Sequence, residues 1–293
     1  MRLVTIACFL NEEAYLPIFL SSLAGQTRPP DRLLLVDDGS TDRSLELARA
    51  FASEHSYARV LERPRRPKQR DRLATAAELE AFSWGVSNVD GDWDVIAKLD
   101  ADIDFSPHSF ADVIAHLEAD PRLGLTGPRL VMPGPDGQML TERSWPDHVR
   151  GAMKFYRREC FEQVYPLPPR LGWDTLDEIR AQMHGWRTGS FPASDRDPVH
   201  LRPTGSQDGA ARGFRREGMA SYGYGTGAGW MLLGAARRMR QRPTTLWGPA
   251  FMAGWLTAAV RRAPRASRQE RAYLLTRQRA RLRNSLARAP RPS

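Results

Sequence analysis

Apolar and polar positions alternate along the first two-thirds of the chain in two distinct rhythms. Continuous apolar runs at residues 3–9 (LVTIACF), 33–36 (LLLV) and 95–99 (VIAKL) have the length and density of strands buried on both faces. Between them the spacing turns helical: Leu16, Phe19, Leu20 and Leu23 with Pro17 in the first turn, then Leu47, Ala48 and Phe51, then a helix over 73–86. Phe110, Val113, Ile114 and Leu117 complete an i, i+3, i+4, i+7 stripe bracketed by Pro107 and Pro121. Strands alternating with helices predict a mostly parallel sheet with right-handed crossovers and helices on both faces. Short strands follow at 124–126 and 129–132, helices at 155–164 and 174–184, and an irregular stretch from 191 to 200. The apolar start runs straight into Asn11-Glu12-Glu13 and reads as a first strand, not a signal peptide.

Beyond residue 215 the rhythm changes. Two uncharged windows, 218–236 and 243–260, are long enough to be weighed as membrane spans, but six glycines in the first and Pro243 and Pro249 in the second argue against spanning. They read as helices packed on the domain or lying at an interface, with Trp230, Trp247 and Trp255 as interfacial anchors. The division that follows is an α/β domain over 1–215, a helical segment over 216–262, packed on the domain or interfacial, and an Arg-rich, partly disordered tail over 263–293.

Charge sharpens this division. The net charge is +9, yet residues 261–293 hold eleven Arg against one Glu, which leaves the preceding 260 residues at −1. Basicity is thus a property of the tail, which disfavours a whole-protein nucleic-acid binder and fits contact with an anionic membrane surface. The basic run at 63–70 reads as a solvated loop, with a basic loop that closes over a phosphate site as the alternative. Two cysteines, Cys8 and Cys160, are too few for a disulfide framework and suit a reducing compartment.

The chemistry gathers where strands end. Lys98-Leu99-Asp100-Ala101-Asp102-Ile103-Asp104 closes an apolar run with carboxylates at alternate positions, which would crowd one face of a continuing strand. A hard divalent cation with oxygen ligands would relieve that crowding; a solvated acidic turn is the plainer alternative. The second strand runs into Asp37-Asp38-Gly39-Ser40-Thr41-Asp42, a tight turn followed by a helix cap. Asp174 opens a helix, where a carboxylate also serves as a simple cap.

Taken in order, Asn11-Glu12-Glu13, Val36-Asp37-Asp38-Gly39-Ser40-Thr41-Asp42 and Leu99-Asp100-Ala101-Asp102 resemble the inverting family 2 glycosyltransferases of GT-A (Rossmann-like) fold, over roughly residues 2–185. The resemblance implies a nucleotide-diphosphate-sugar donor, Mg²⁺ or Mn²⁺, and transfer with inversion to an acceptor hydroxyl. Asp37 and Asp38 match the positions that hold the nucleoside, Asn11 and Glu13 the loop beside the base, and Asp100, with Lys98, the ribose side of the donor. Asp102 matches the metal ligand, His200 a third metal ligand of some GT-A enzymes, and Arg202 a diphosphate contact. The base is Asp174, eleven residues before Gly185, with Asp177 in reserve, although Trp173 stands where the usual Glu would be. Ala81-Phe82-Ser83-Trp84-Gly85 likewise departs from the usual Ala-Arg-Asn run.

The implied setting is lipid-linked saccharide or cell-envelope polysaccharide synthesis, with a saccharide or lipid-linked acceptor, by a cytoplasmic protein peripheral at the inner face of the membrane. A nucleotidyltransferase would need a Gly- and Lys-rich phosphate loop after the first strand, which this chain lacks. A non-catalytic nucleotide-sugar- or nucleic-acid-binding protein with a basic tail is the remaining alternative.

Overall fold

The computed structural model describes residues 1–64, 75–134, 137–141, 147–202, 209–240 and 245–287. Residues 65–70, most of the basic run noted above, lie outside them. The chain forms two compact units: Met1–Pro169 with His184–Thr204, and Arg170–Met183 with Gly205–Ser293. The second therefore takes one helix from within the stretch 1–215.

In chain order the elements are β1 (Leu3–Phe9), α1 (Leu16–Ala24), β2 (Arg32–Asp37), α2 (Ser44–Glu54), β3 (Ala58–Glu62), α3 (Ala77–Val86), β4 (Val95–Asp100), β5 (Ile103–Asp104) and α4 (Ser109–Ala119). Then come β6 (Leu123–Pro128), β7 (Val131–Pro133), β8 (Met139–Thr141), β9 (Met153–Arg157), α5 (Arg158–Val164), α6 (Trp173–Met183), β10 (Arg187–Phe191) and β11 (Val199–His200). Four helices close the chain: α7 (Ala210–Tyr224), α8 (Ala228–Met239), α9 (Trp247–Val260) and α10 (Arg268–Ala287).

The first unit is built on a seven-stranded sheet of order β10-β6-β9-β4-β1-β2-β3. Its β1, β2, β3 and β4 run parallel, and β1, β2 and β4 are the continuous apolar runs expected of strands buried on both faces. Leu16, Phe19, Leu20 and Leu23 of α1 and Phe110, Val113, Ile114 and Leu117 of α4 bury the predicted stripes in its core. The expected helix over 155–164 is corrected at its start. Met153–Arg157 is a strand, antiparallel to both β4 and β6, and the helix begins only at Arg158. Met153, Phe155 and Tyr156 are buried there, and pairing with β4 along the strand and with β6 at Phe155 and Tyr156 supplies backbone partners that a helix would have found internally.

A second, four-stranded sheet of order β5-β11-β7-β8 extends this unit. Its pairing of Ile103 with His200 carries one end of the chain's chemistry to the other.

The second unit is helical. No helix among the described residues is long and apolar enough to cross a membrane. Two glycines of the uncharged windows serve helix packing: a Cβ on Gly218 would strike the carbonyl of Phe251, and one on Gly254 that of Arg215, so α7 and α9 approach backbone to backbone. Two of the tryptophans expected as interfacial anchors are engaged inside the unit. Trp247 stacks on Phe214, and Trp255 donates its indole N–H to the Thr226 carbonyl at 3.1 Å. Over Arg268–Ala287 the Arg-rich tail is a helix, whose Leu274 packs with Leu176 and Ile179 of α6.

Candidate active site

The chain leaves β1 toward β2 and β3 on one side and returns to β4 on the other, so the strand order reverses between β1 and β4. Such a reversal opens a crevice beyond the carboxyl ends of the strands. Phe9 pairs with Asp37, and Cys8 with Asp100, which brings the ends of β1, β2 and β4 level. The segments that follow these strands therefore start from one end of the sheet.

Asp100, Asp102 and His200 form the metal-competent group: each offers a ligand atom, and these atoms lie within 4.8 Å of one another. Asp102 and His200 are buried, with His200 Nε2 at 3.4 Å from Asp102 Oδ1. Pairing of β5 with β11, reinforced by the Leu201 N–H donating to the Asp102 carbonyl at 2.9 Å, fixes this meeting of residues a hundred apart. Two carboxylates and an imidazole fit a divalent cation, and the nitrogen donor suits Mn²⁺ better than Mg²⁺. His200 Nδ1 is buried with no hydrogen-bond partner among the described residues, a further sign that this imidazole is placed for a ligand. The third carboxylate of the run, Asp104, turns to Arg196 at 3.1 Å.

Arg202 spans the group. Its guanidinium donates to Asp102 Oδ2 through Nε at 3.0 Å and to Glu12 Oε1 through Nη2 at 2.6 Å, and it lies over the Tyr15 ring. Burial pushes the Glu12 carboxyl up, and the hydrogen bond and charge of Arg202 only partly offset it. Burial alone would also weaken the Arg202 charge, but Glu12 and Asp102 raise its affinity for the proton above the ordinary value. Lys98 is buried; its ammonium donates to Asp100 Oδ1 and, at 2.8 Å, to the Gly151 carbonyl, and pairs with Glu78. It therefore acts through Asp100, holding that carboxylate in place.

Beside this group two loops are stitched together. Asn11 adopts the left-handed conformation that asparagine tolerates. From there its side-chain oxygen accepts the Thr41 N–H at 2.7 Å, and its own N–H donates to Ser40 Oγ at 3.1 Å. Glu13 Oε2 accepts the Arg43 N–H at 3.1 Å, and the Glu12 N–H donates to Ser44 Oγ at 2.8 Å. Asp37 is buried and caps the turn by accepting the Ser40 N–H at 3.0 Å, while Asp38 pairs with buried Arg63.

The Glycosyl transferase family 2 model matches residues 5–165, over half of the chain and the whole stretch from β1 through α5. The chain belongs to glycosyl transferase family 2. Its fold is similar to that of the mannosyltransferase PcManGT from Pyrobaculum calidifontis, solved in complex with GDP-Man and Mn²⁺, at a TM-score of 0.57 and 18% identity over 96% of this chain and 80% of that one. It is similar also to S. aureus TarS 1-349 in complex with UDP, at a TM-score of 0.54 and 15% identity over 87% and 71%. The Cholesterol galactosyltransferase of Borreliella burgdorferi is 32% identical over 59 residues, which is 20% of this chain and only 16% of that relative's length.

Family membership accounts for the carboxylates at the switch point, and the sequence-predicted residues divide between the units. Asn11, Glu13, Asp37, Asp38, Lys98, Asp100, Asp102, His200 and Arg202 belong to the first; Asp174 and Asp177 lie on α6 in the second. Asp177 is fully buried, its Oδ1 accepting the Glu178 N–H at 2.6 Å. Asp174 sits in the first turn, half-buried, after Gly172 in the left-handed conformation. Burial pushes the nearby Tyr224 phenol up to about 12, with the charges of Glu217 and Asp174 adding to the effect.

The sequence assigns no separate role to Glu12 or Arg63: Glu12 lies inside the Asn11–Glu13 loop, and Arg63 opens the basic run at 63–70. Its position directly after β3, beside a strand ending in two aspartates, was the available signal.

Proposed function

We propose that this family 2 glycosyltransferase is metal-dependent and inverting, transferring a sugar from a nucleoside-diphosphate donor to an acceptor hydroxyl. The observation that carries the reading is the group of half-buried Asp100 with buried Asp102 and His200 at the topological switch point of the sheet. Asp102 and His200 would hold Mn²⁺ or Mg²⁺, with Asp100 on the nucleoside side. When bound, the cation supplies a Lewis acid for the departing diphosphate.

The residues do the rest. Asp37 and Asp38, with Asn11 and Glu13 shaping the adjoining loop, receive the nucleoside. Arg202 offers its planar donors to the diphosphate. Asp174 takes the acceptor hydroxyl's proton as the new oxygen–carbon bond forms and the bond from the anomeric carbon to the phosphate oxygen breaks, releasing the nucleoside diphosphate. Asp177, being buried, is set aside. The acceptor is a lipid-linked or cell-envelope saccharide and the enzyme is peripheral at the inner face of the membrane, a reading supported by the uncharged α9 and the Arg-rich end of the second unit.

With Mn²⁺ present, a screen of UDP-, GDP- and dTDP-sugars is expected to give one donor that raises the melting temperature and is consumed. Asp174→Asn is expected to lower turnover about 10²- to 10⁴-fold while leaving that donor's affinity unchanged. Turnover at the unsubstituted rate would remove Asp174 as the base.

A further inference from the structure

The second unit presents a helix whose solvent side is apolar throughout. Along α9 the inward residues Gly248, Phe251, Gly254 and Ala258 are buried. The outward ones, counting Leu246 just before the first turn, are Leu246, Pro249, Ala253, Leu256 and Val260, spaced three and four apart and so stacked on one face. Leu246 is 64% exposed, Leu256 47% and Val260 83%. A helix at a water-facing surface ordinarily carries charge on that side; α9 has no charged residue anywhere in its length. On the neighbouring α8, Leu232 and Leu233 are likewise exposed.

Charge selects the occupant. Arg237 and Arg240 at the end of α8, and Arg261 and Arg262 directly after α9, are exposed. Residues 205–293 contain eighteen Arg, no Lys and three acidic residues. A second copy of the chain would bring arginines against arginines, and a nucleic acid would meet the arginines but leave the leucines in water. An anionic bilayer satisfies both: the stripe enters the acyl boundary while the flanking guanidinium groups reach lipid phosphates.

We propose that the Leu246, Pro249, Ala253, Leu256 and Val260 face of α9, with its flanking arginines, docks on an anionic lipid bilayer. The inference deepens the peripheral-membrane part of the reading above by naming the surface.

The test is flotation of the full-length protein with phosphatidylcholine vesicles made with and without phosphatidylglycerol, alongside Leu256→Glu/Val260→Glu. Both substituted side chains point into water, and an unchanged melting curve would show that the fold is kept. The expected results are flotation that requires the anionic lipid and a loss of about tenfold in the bound fraction of the double variant. A variant that floats as well as the original protein overturns the proposal. So does light scattering that shows a dimer which the same variant dissociates, because the face would then belong to a second copy. The donor-induced rise in melting temperature with Mn²⁺ is read separately without lipid. Its absence beside intact flotation strikes the glycosyl-transfer reading and upholds this surface, and the reverse pattern does the opposite.

Discussion

Asp38 and Arg63 form an ion pair with 8% and 3% of their side chains exposed, so each compensates the other for leaving water. Arg63→Met leaves Asp38 buried without that partner and is expected to cost about 3–5 kcal/mol in urea unfolding, whereas adding Asp38→Asn recovers most of the loss. A single variant as stable as the parent would mean that Asp38 finds water without Arg63. At this scale the sequence was legible where a motif constrains the backbone. The Asp-Asp-Gly-Ser-Thr-Asp turn follows from residue chemistry alone, whereas the left-handed conformation of Asn11 emerges only in the structure. Asp104 was not legible: alternation placed it with Asp100 and Asp102, but the chain turns at Ala101 and Asp102, and Arg196 draws the third carboxylate away. His200 was nameable from resemblance; what gives it a partner is the two-residue pairing of β11 with β5.

At the scale of elements, amphipathic stripes were the reliable signal. α1 and α4 bury the residues their spacing selected, because a helix with a clear apolar face has only one way to hide it. β9 shows where that signal fails. Met153 to Arg157 is apolar enough for either helix or strand, and the unfilled slot between β4 and β6 decides for strand, a fact of the sheet and not of the segment. Glycine in the later helices carries a different message. At Gly254 it permits the close approach of α9 to the Arg215 carbonyl on α7, and Gly254→Ala is expected to destabilise the second unit by about 1–3 kcal/mol. The check is the unfolding midpoint in urea followed by tryptophan fluorescence; an unshifted midpoint would show that the two backbones can part freely.

For the molecule as a whole, stability in acid follows from carboxylates held ionised. Partial burial would push the Asp195 carboxyl up, but hydrogen bonds from the Arg196 N–H, His108 and Ser106 outweigh it and bring the group down to about 2. In the unfolded chain it titrates near its ordinary value of about 3.9. Its contribution is therefore complete above about pH 4 and is lost as pH falls toward about 2. Asp195→Asn is expected to flatten the fall in melting temperature across that window and to leave the slope above pH 5 unchanged; a parallel curve would locate the acid sensitivity elsewhere. The sequence by itself determined the α/β class, the parallel strands, the carboxylates at their ends and the confinement of positive charge to the C-terminal part, since all of these depend on local pattern or on counting. The tertiary structure alone decided that β9 enters the sheet, that Asp102, His200, Arg202 and Glu12 converge, that Trp247 and Trp255 turn inward, and that α9 keeps an apolar face in water. Those outcomes depend on which distant segments pair, and pairing is settled by backbone hydrogen bonds and burial summed over the folded chain.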